Sequence, residues 1–135
     1  MKKFGYALAL IIFLSIAFFL SGLSPVELPQ EPGEGPIIHT VMFSLSYPPD
    51  SDESENFLSD GKKILTSIPG VKNFEVRRQI STKNDYQYGF SMHFNDKTSF
   101  EDYLNHPLHT KFVSERWEKE VTSFLEADYT AIPKD

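Results

Sequence analysis

The chain has 135 residues, a length that suits one compact domain, and a formal net charge of −6. It contains no cysteine, which excludes disulfides, thiolate metal sites and a cysteine nucleophile. Its lysines and arginines occur singly or in pairs, so a basic nucleic-acid-binding face is not expected.

Residues 1–23 are typical of a membrane anchor or a secretory signal. Lys2 and Lys3 precede an almost unbroken apolar run that ends at Leu23. A helix of about 20 residues spans a hydrocarbon core of about 30 Å. The two lysines predict the N-terminus inside and the rest of the chain on the extracytoplasmic side of a membrane. We interpret the segment as an uncleaved transmembrane anchor; the alternative is a cleaved signal that releases a secreted or periplasmic protein.

Residues 24–36 predict a semi-extended spacer. They include four prolines, two glycines and three glutamates, a composition that cannot bury a core. The folded domain is therefore predicted to cover residues 37–132.

The domain alternates strand and helix patterns. In chain order these are a strand over 37–45, a helix that Ser51 or Asp52 caps and that ends at Ile68, strands over 71–80 and 86–94, a helix from Asp96 to about Glu120, and a strand over 121–131. The order βαββαβ with right-handed crossovers predicts an α+β, ferredoxin-like fold. In this fold, a four-stranded antiparallel sheet carries two helices on one face. The second face is mixed in polarity, and the pattern fits either exposure to water or a cavity closed by a partner subunit.

The segment from Phe100 to Val113 holds two of the four histidines. Apolar residues recur at helical spacing on both sides of Pro107, which predicts a break between two helical pieces. The break puts His106 at the end of one piece and His109 in the first turn of the next. Tyr103 lies one helical turn before the break.

Several motifs occur in a familiar order and spacing between Ile37 and about Ile132. They are I-I-H-T-V-M-F, I-P-G-V-K-N-F-E-V-R-R, Y-Q-Y-G-F-S-M-H-F, D-Y-L-N-H-P-L-H-T-K-F-V and F-L-E-A-D-Y-T. Together they resemble the stress-responsive alpha/beta-barrel (Dabb) family. The resemblance implies a homodimer in which two ferredoxin-like subunits pair sheet to sheet as a dimeric α+β barrel, with the mixed face as its lining.

The resemblance also implies candidate site residues. Some family members, such as olivetolic acid cyclase from plants, catalyse aldol-type ring closure with the Tyr and the second His of D-Y-x-x-H-P-x-H as an acid/base pair. Tyr103 and His109 occupy these positions and are the candidate catalytic residues. The alternative is structural: His109 bonds backbone carbonyls at the helix break while Tyr103 packs in the core. His106, the first His of this motif, is a candidate ligand-binding residue. Independently of the resemblance, His39 and His93 are also candidate ligand-binding residues, because they lie on different strands and could both reach the sheet interior.

No metal or cofactor is predicted. The histidines lack an H-x-H or H-E-x-x-H spacing, so nothing in the sequence argues for a metal site. The favoured hypothesis is a membrane-tethered, stress-related homodimer that binds a small apolar molecule or acts as a scaffold. The alternative is an enzyme in which His109 and Tyr103 move protons on a small ketide-like or aromatic substrate. An oxygenase of the same architecture is supported by fold analogy only.

Overall fold

A computed structural model describes residues 35–132 of the protein. The predicted anchor over residues 1–23 and nearly all of the predicted spacer over 24–36 lie outside this range. Within it, no helix combines the length and the apolar character needed to cross a bilayer. The elements are β1 (Ile37–Leu45), α1 (Asp52–Thr66), β2 (Lys72–Arg78), β3 (Tyr88–Phe94), α2 (Lys97–Leu104), α3 (Pro107–Phe112), a π-helix (Val113–Trp117), α4 (Glu118–Glu120) and β4 (Val121–Thr130).

The four strands form one antiparallel sheet in the order β2-β3-β1-β4. This confirms the predicted ferredoxin-like plan. The central strand β1 pairs with both β3 and β4, and its register sets His39 opposite Asp128 and Val41 opposite Glu126. Residues opposite each other in an antiparallel pair point to the same face, so β1 and β4 present these side chains together.

The hydrophobic core lies between the helices and one face of the sheet. Phe43 is completely buried at its centre, with the rings of Phe90, Trp117 and Phe57 at centroid distances of 4.8, 5.0 and 5.8 Å. The predicted alternation is confirmed here, because Tyr88, Phe90, Met92 and Phe94 are all buried on the helix side of β3. Burial of these aromatic rings contributes strongly to the favourable free energy of folding.

The second and third strands are shorter than predicted. The sequence pattern predicts strands over 71–80 and 86–94, but β2 ends at Arg78 and β3 begins at Tyr88. The amide of Gln79 donates to the Oδ1 atom of Asn84 at 2.7 Å and to the carbonyl oxygen of Tyr86 at 3.1 Å. These bonds hold the connection as a turn, and Ile80, the last residue of the predicted strand, is exposed in it.

The second helical region is interrupted at more places than the single predicted break. As predicted, the chain leaves the helix before Pro107, which occupies the first turn of α3. A π-helix then covers Val113–Trp117, and α4 follows it directly. The wider π turn was not predicted, because the four-residue spacing of Val113 and Trp117 fits an ordinary α-helix equally well.

Candidate functional site

A cavity of about 370 Å³ lies on the helix side of the sheet, next to β1 and the edge strand β4. Its lining is mainly apolar, and the helical segments close it on the opposite side. The apolar lining residues are Val41, Leu65, Phe90, Met92, Leu104, Phe112, Val113, Trp117 and Phe124. Its polar lining residues are His39, Tyr103, His109, Glu118 and Glu126. We refer to this space as the β4 cavity.

Tyr103 and His109 meet in the β4 cavity across the helix break. Their ring centroids are 4.5 Å apart and their planes are inclined by 48°. The Nδ1 atom of His109 lies 3.0 Å from the carbonyl oxygen of Leu104, one of the unpaired carbonyls at the end of α2. Because a carbonyl only accepts, Nδ1 carries the hydrogen, and Nε2 of the neutral ring remains a free acceptor.

Burial shifts the pKa of both side chains. Removal from water lowers the pKa of His109, although the bond to the Leu104 carbonyl opposes this effect, so the neutral imidazole is favoured at pH 7. Burial raises the pKa of Tyr103 well above its ordinary value, and the negative charge of Glu126 adds to the increase. The pair therefore consists of a neutral base and a protonated phenol.

His39 is the second imidazole of the site. It is 4 % exposed, its ring centroid lies 6.0 Å from that of Tyr103, and its Nδ1 atom lies 2.6 Å from Oδ1 of Asp128. A carboxylate accepts this bond, so Nδ1 carries a hydrogen and Nε2 is the ring nitrogen left for other contacts. A carboxylate bonded in this way fixes the orientation and tautomer of an imidazole.

The remaining two histidines lie outside the β4 cavity lining. His106 caps α3, with its Nδ1 atom accepting from the backbone amide of Leu108 at 3.2 Å. His93 points from β3 to the other face of the sheet, where Nδ1 is 3.5 Å from the amide of Asn73. The structure thus brings together Tyr103, His109 and His39 from the sequence-predicted set.

Glu126 and Asp128 were not recognised as site residues from the sequence. They occupy alternate positions of β4 on the face that also carries Phe124, and the β1 register alone brings them beside His39. The alternation along β4 shows that they share a face, but no local signal indicates which β1 residue each one opposes.

His39, Glu126 and Asp128 are also the described residues that could hold a metal ion. One ligand atom from each lies within 4.8 Å of the others. An imidazole nitrogen with two carboxylate oxygens suits a divalent ion such as Zn²⁺ or Mn²⁺ better than Ca²⁺, which prefers oxygen ligands only. The linear spacing of the histidines could not reveal this group, because its members come from two paired strands.

Comparison with known proteins supports one family. The family model described as "Stress Responsive A/B Barrel Domain" matches residues 37–131. No curated protein sequence matches the chain. A Dabb family protein of ferredoxin-like fold from Mesorhizobium loti has 49 % identity and a TM-score of 0.73, and the match covers 74 % of this chain and 100 % of the relative. The match takes in the whole of the relative, so that protein adopts this fold without a counterpart of the rest of the present chain.

More distant structures share the fold alone. A dimeric ferredoxin-like protein of unknown function from Thermobifida fusca has 16 % identity and a TM-score of 0.61, covering 73 % of this chain and 92 % of its own. A hydroxynitrile lyase from Passiflora edulis has 10 % identity and a TM-score of 0.65, covering 76 % of this chain and 98 % of its own. With the family model and the Mesorhizobium relative in agreement, the chain belongs to the stress-responsive A/B barrel domain (Dabb) family.

Proposed function

We propose that the domain binds a small, mostly apolar molecule in the β4 cavity. The single observation that carries this proposal is the cavity itself: about 370 Å³ of space with an apolar lining and polar side chains that converge at one part of it. Small-molecule sites in proteins have this size and this composition. A domain that served only as a scaffold would gain stability by filling such a space.

Binding can be measured through Trp117, which lines the cavity and is the single tryptophan of the chain. We expect 1-octanol to change its fluorescence in a saturable way in the isolated domain, residues 35–135. Val113→Phe adds a ring to the lining and should abolish saturation. Ser114→Phe is the matched control, because Ser114 is exposed and does not line the cavity. Equal binding by both variants would contradict this location for the site.

A proton-transfer enzyme is the second candidate function. Its support is the neutral His109 imidazole with an acceptor nitrogen free beside the Tyr103 phenol, both in a mainly apolar cavity. A neutral imidazole can remove a proton next to a carbonyl, and a phenol hydroxyl can donate to the oxygen that becomes negative. His39 with Asp128 supplies a second oriented imidazole within the same site.

This chemistry can be tested by hydrogen–deuterium exchange into small methyl ketones in D₂O, followed by NMR. His109→Asn places an amide nitrogen where Nδ1 donates to the Leu104 carbonyl, but it removes Nε2, so exchange should fall to the uncatalysed rate. His106→Asn is the matched control, because asparagine is a good helix cap and preserves that role. If His109→Asn retained full exchange, His109 could not be the base.

We further propose that the domain pairs as a homodimer through the face of the sheet that is opposite the helices. Ile38, Leu125 and Tyr129 share this face and are 38, 52 and 59 % exposed. Such an apolar patch is typical of an interface, and the Thermobifida fusca relative is dimeric. Light scattering should give a dimer mass for the wild-type domain and a monomer mass for Leu125→Arg. The control Leu108→Arg changes an exposed leucine of α3 and should stay dimeric.

The location of the domain is a separate proposal. Lys2, Lys3 and the apolar run to Leu23 support tethering of the domain on the extracytoplasmic side of a membrane by residues 1–23. Mass spectrometry of the mature protein is the test. An intact N-terminus supports the anchor, and a start at or after Leu23 contradicts it.

A further inference from the structure

The charged residues that line the β4 cavity are acidic. Glu118 and Glu126 contribute carboxylates, whereas no lysine or arginine is among the lining residues within the described part of the chain. The nearby Arg116 is directed elsewhere, with Nη1 2.5 Å from Oδ2 of Asp60 and a second ion pair to Glu120. A ligand in the cavity therefore meets negative charge without a compensating cation.

The histidines do not cancel the negative charge of the cavity lining. Burial lowers the pKa of His109, which favours its uncharged form, and Asp128 accepts the Nδ1 hydrogen of His39. The carboxylate of Asp128 lies beside His39, so this pair adds no net positive charge to the cavity. Glu126 and Glu118 therefore leave the polar part of the cavity with a net negative charge.

The aromatic lining suits a cation as well. Trp117 and Phe124 meet edge to face, with ring centroids 5.7 Å apart and an interplanar angle of 72°, and both line the cavity with the glutamates. The faces of such rings attract organic cations and disfavour anions. Negative carboxylates and aromatic faces therefore select the same kind of head group.

We propose that the β4 cavity selects amphiphiles with a cationic head group, such as alkyl or aryl amines, and discriminates against carboxylates and phosphates. This inference rests on the ligand-binding function proposed above and specifies the chemical class of the ligand. Glu126 is the main selecting residue, because it lies on the same face as the His39 and Asp128 pair and influences Tyr103 and His109. Both glutamates are exposed to solvent, which moderates their effect.

The test compares three ligands with the same chain and different head groups. Octylamine, 1-octanol and octanoate are titrated into the isolated domain at pH 7.5 with EDTA present, and Trp117 fluorescence gives each Kd. EDTA removes any divalent ion from His39, Glu126 and Asp128, which would otherwise attract carboxylates. We expect octylamine to bind about tenfold more tightly than octanoate, with octanol between them. The difference should decrease as salt is added.

Glu126→Gln tests the residue that selects the head group. The variant keeps the size of the side chain and removes its charge, so the ratio of the two dissociation constants should approach one. Glu101→Gln is the matched control, because it changes the net charge equally at an exposed position of α2 that does not line the cavity. Its ratio should remain that of the wild type.

The possible outcomes distinguish the head-group inference from the proposed binding function. Octanoate binding as tightly as octylamine would overturn the head-group inference while leaving ligand binding intact. An unchanged ratio in Glu126→Gln, with an unchanged melting temperature, would also overturn it. If none of the three ligands bound, the proposed binding function would fail, and the inference would fail with it.

Discussion

Gly61 allows α1 to approach the sheet closely, and its replacement tests the packing that surrounds the cavity. A Cβ atom at this position would lie 2.9 and 3.1 Å from two ring carbons of Phe90 and 3.2 Å from Cζ of Phe112. These distances are shorter than normal carbon contacts. Both rings are almost completely buried, and both line the β4 cavity. Gly61→Ala therefore forces the two rings to move.

Two opposing effects set the magnitude for Gly61→Ala. Alanine favours a helix interior over glycine by about 0.5–1 kcal/mol. Displacement of two closely packed rings costs about 1–3 kcal/mol. The balance predicts a net loss of about 1 kcal/mol in the free energy of unfolding, which lowers the melting temperature by roughly 5 °C for a domain of this size.

Urea denaturation of the isolated domain measures this loss for Gly61→Ala. Ser59→Ala is the control on the exposed side of α1, where no close contact opposes the helix preference, and it should be neutral or slightly stabilising. Phe90→Leu removes the ring edge that meets the new methyl group. In that background the cost of Gly61→Ala should shrink, as a double-mutant cycle would detect. A Gly61→Ala protein as stable as the wild type would refute the reasoning.

Three further predictions concern the site and the helix caps. Because burial lowers the pKa of His109, the unfolded chain takes up a proton more readily than the folded one. The free energy of unfolding, measured by urea denaturation, should therefore fall as the pH drops below about 6.5. This dependence on pH should be weaker in His109→Asn. Tyr103→Phe should change the free energy of unfolding by less than about 0.5 kcal/mol, because Tyr103 lines the β4 cavity and its hydroxyl makes no hydrogen bond to another described residue. A larger loss would reveal a structural role. Ser51→Ala removes the side chain that accepts from the Ser54 amide at 3.2 Å, and thermal denaturation should show a loss of about 1 kcal/mol, whereas Ser51→Asp should retain the cap.

Local patterns in the sequence predict much of the fold. The alternation of β3 and the helical stripe through Phe57, Leu65 and Ile68 predict strand and helix without tertiary information, and the structure buries each of these side chains. The pattern failed at the β2–β3 connection, where the side-chain amide of Gln79 bonds Asn84 and Tyr86 and holds a turn. Propensity cannot anticipate such a bond, because it depends on where the chain returns.

The candidate site likewise has one part that local sequence features predict and another part that they do not. Tyr103, His109 and their helix break are local features of one segment, and Pro107 signals the break in the sequence. The pair of His39 and Asp128 is not local, since the two residues are 89 positions apart and meet only through the register of β1 against β4. A shift of that register by one residue would turn Asp128 to the other face of the sheet.

The edge position of β4 explains why a cavity exists at this place. Phe124 lies on the helix side of the sheet and is still 54 % exposed, so the helical layer does not seal this strand. The break at Pro107 and the wider π turn at Val113–Trp117 interrupt the helices that would otherwise pack over it. The edge position of β4 therefore leaves its polar side chains accessible, and the helix breaks provide space beside them. Filling that space with Val113→Phe should stabilise the domain while it abolishes ligand binding, which is the relation expected of a cavity kept open for function.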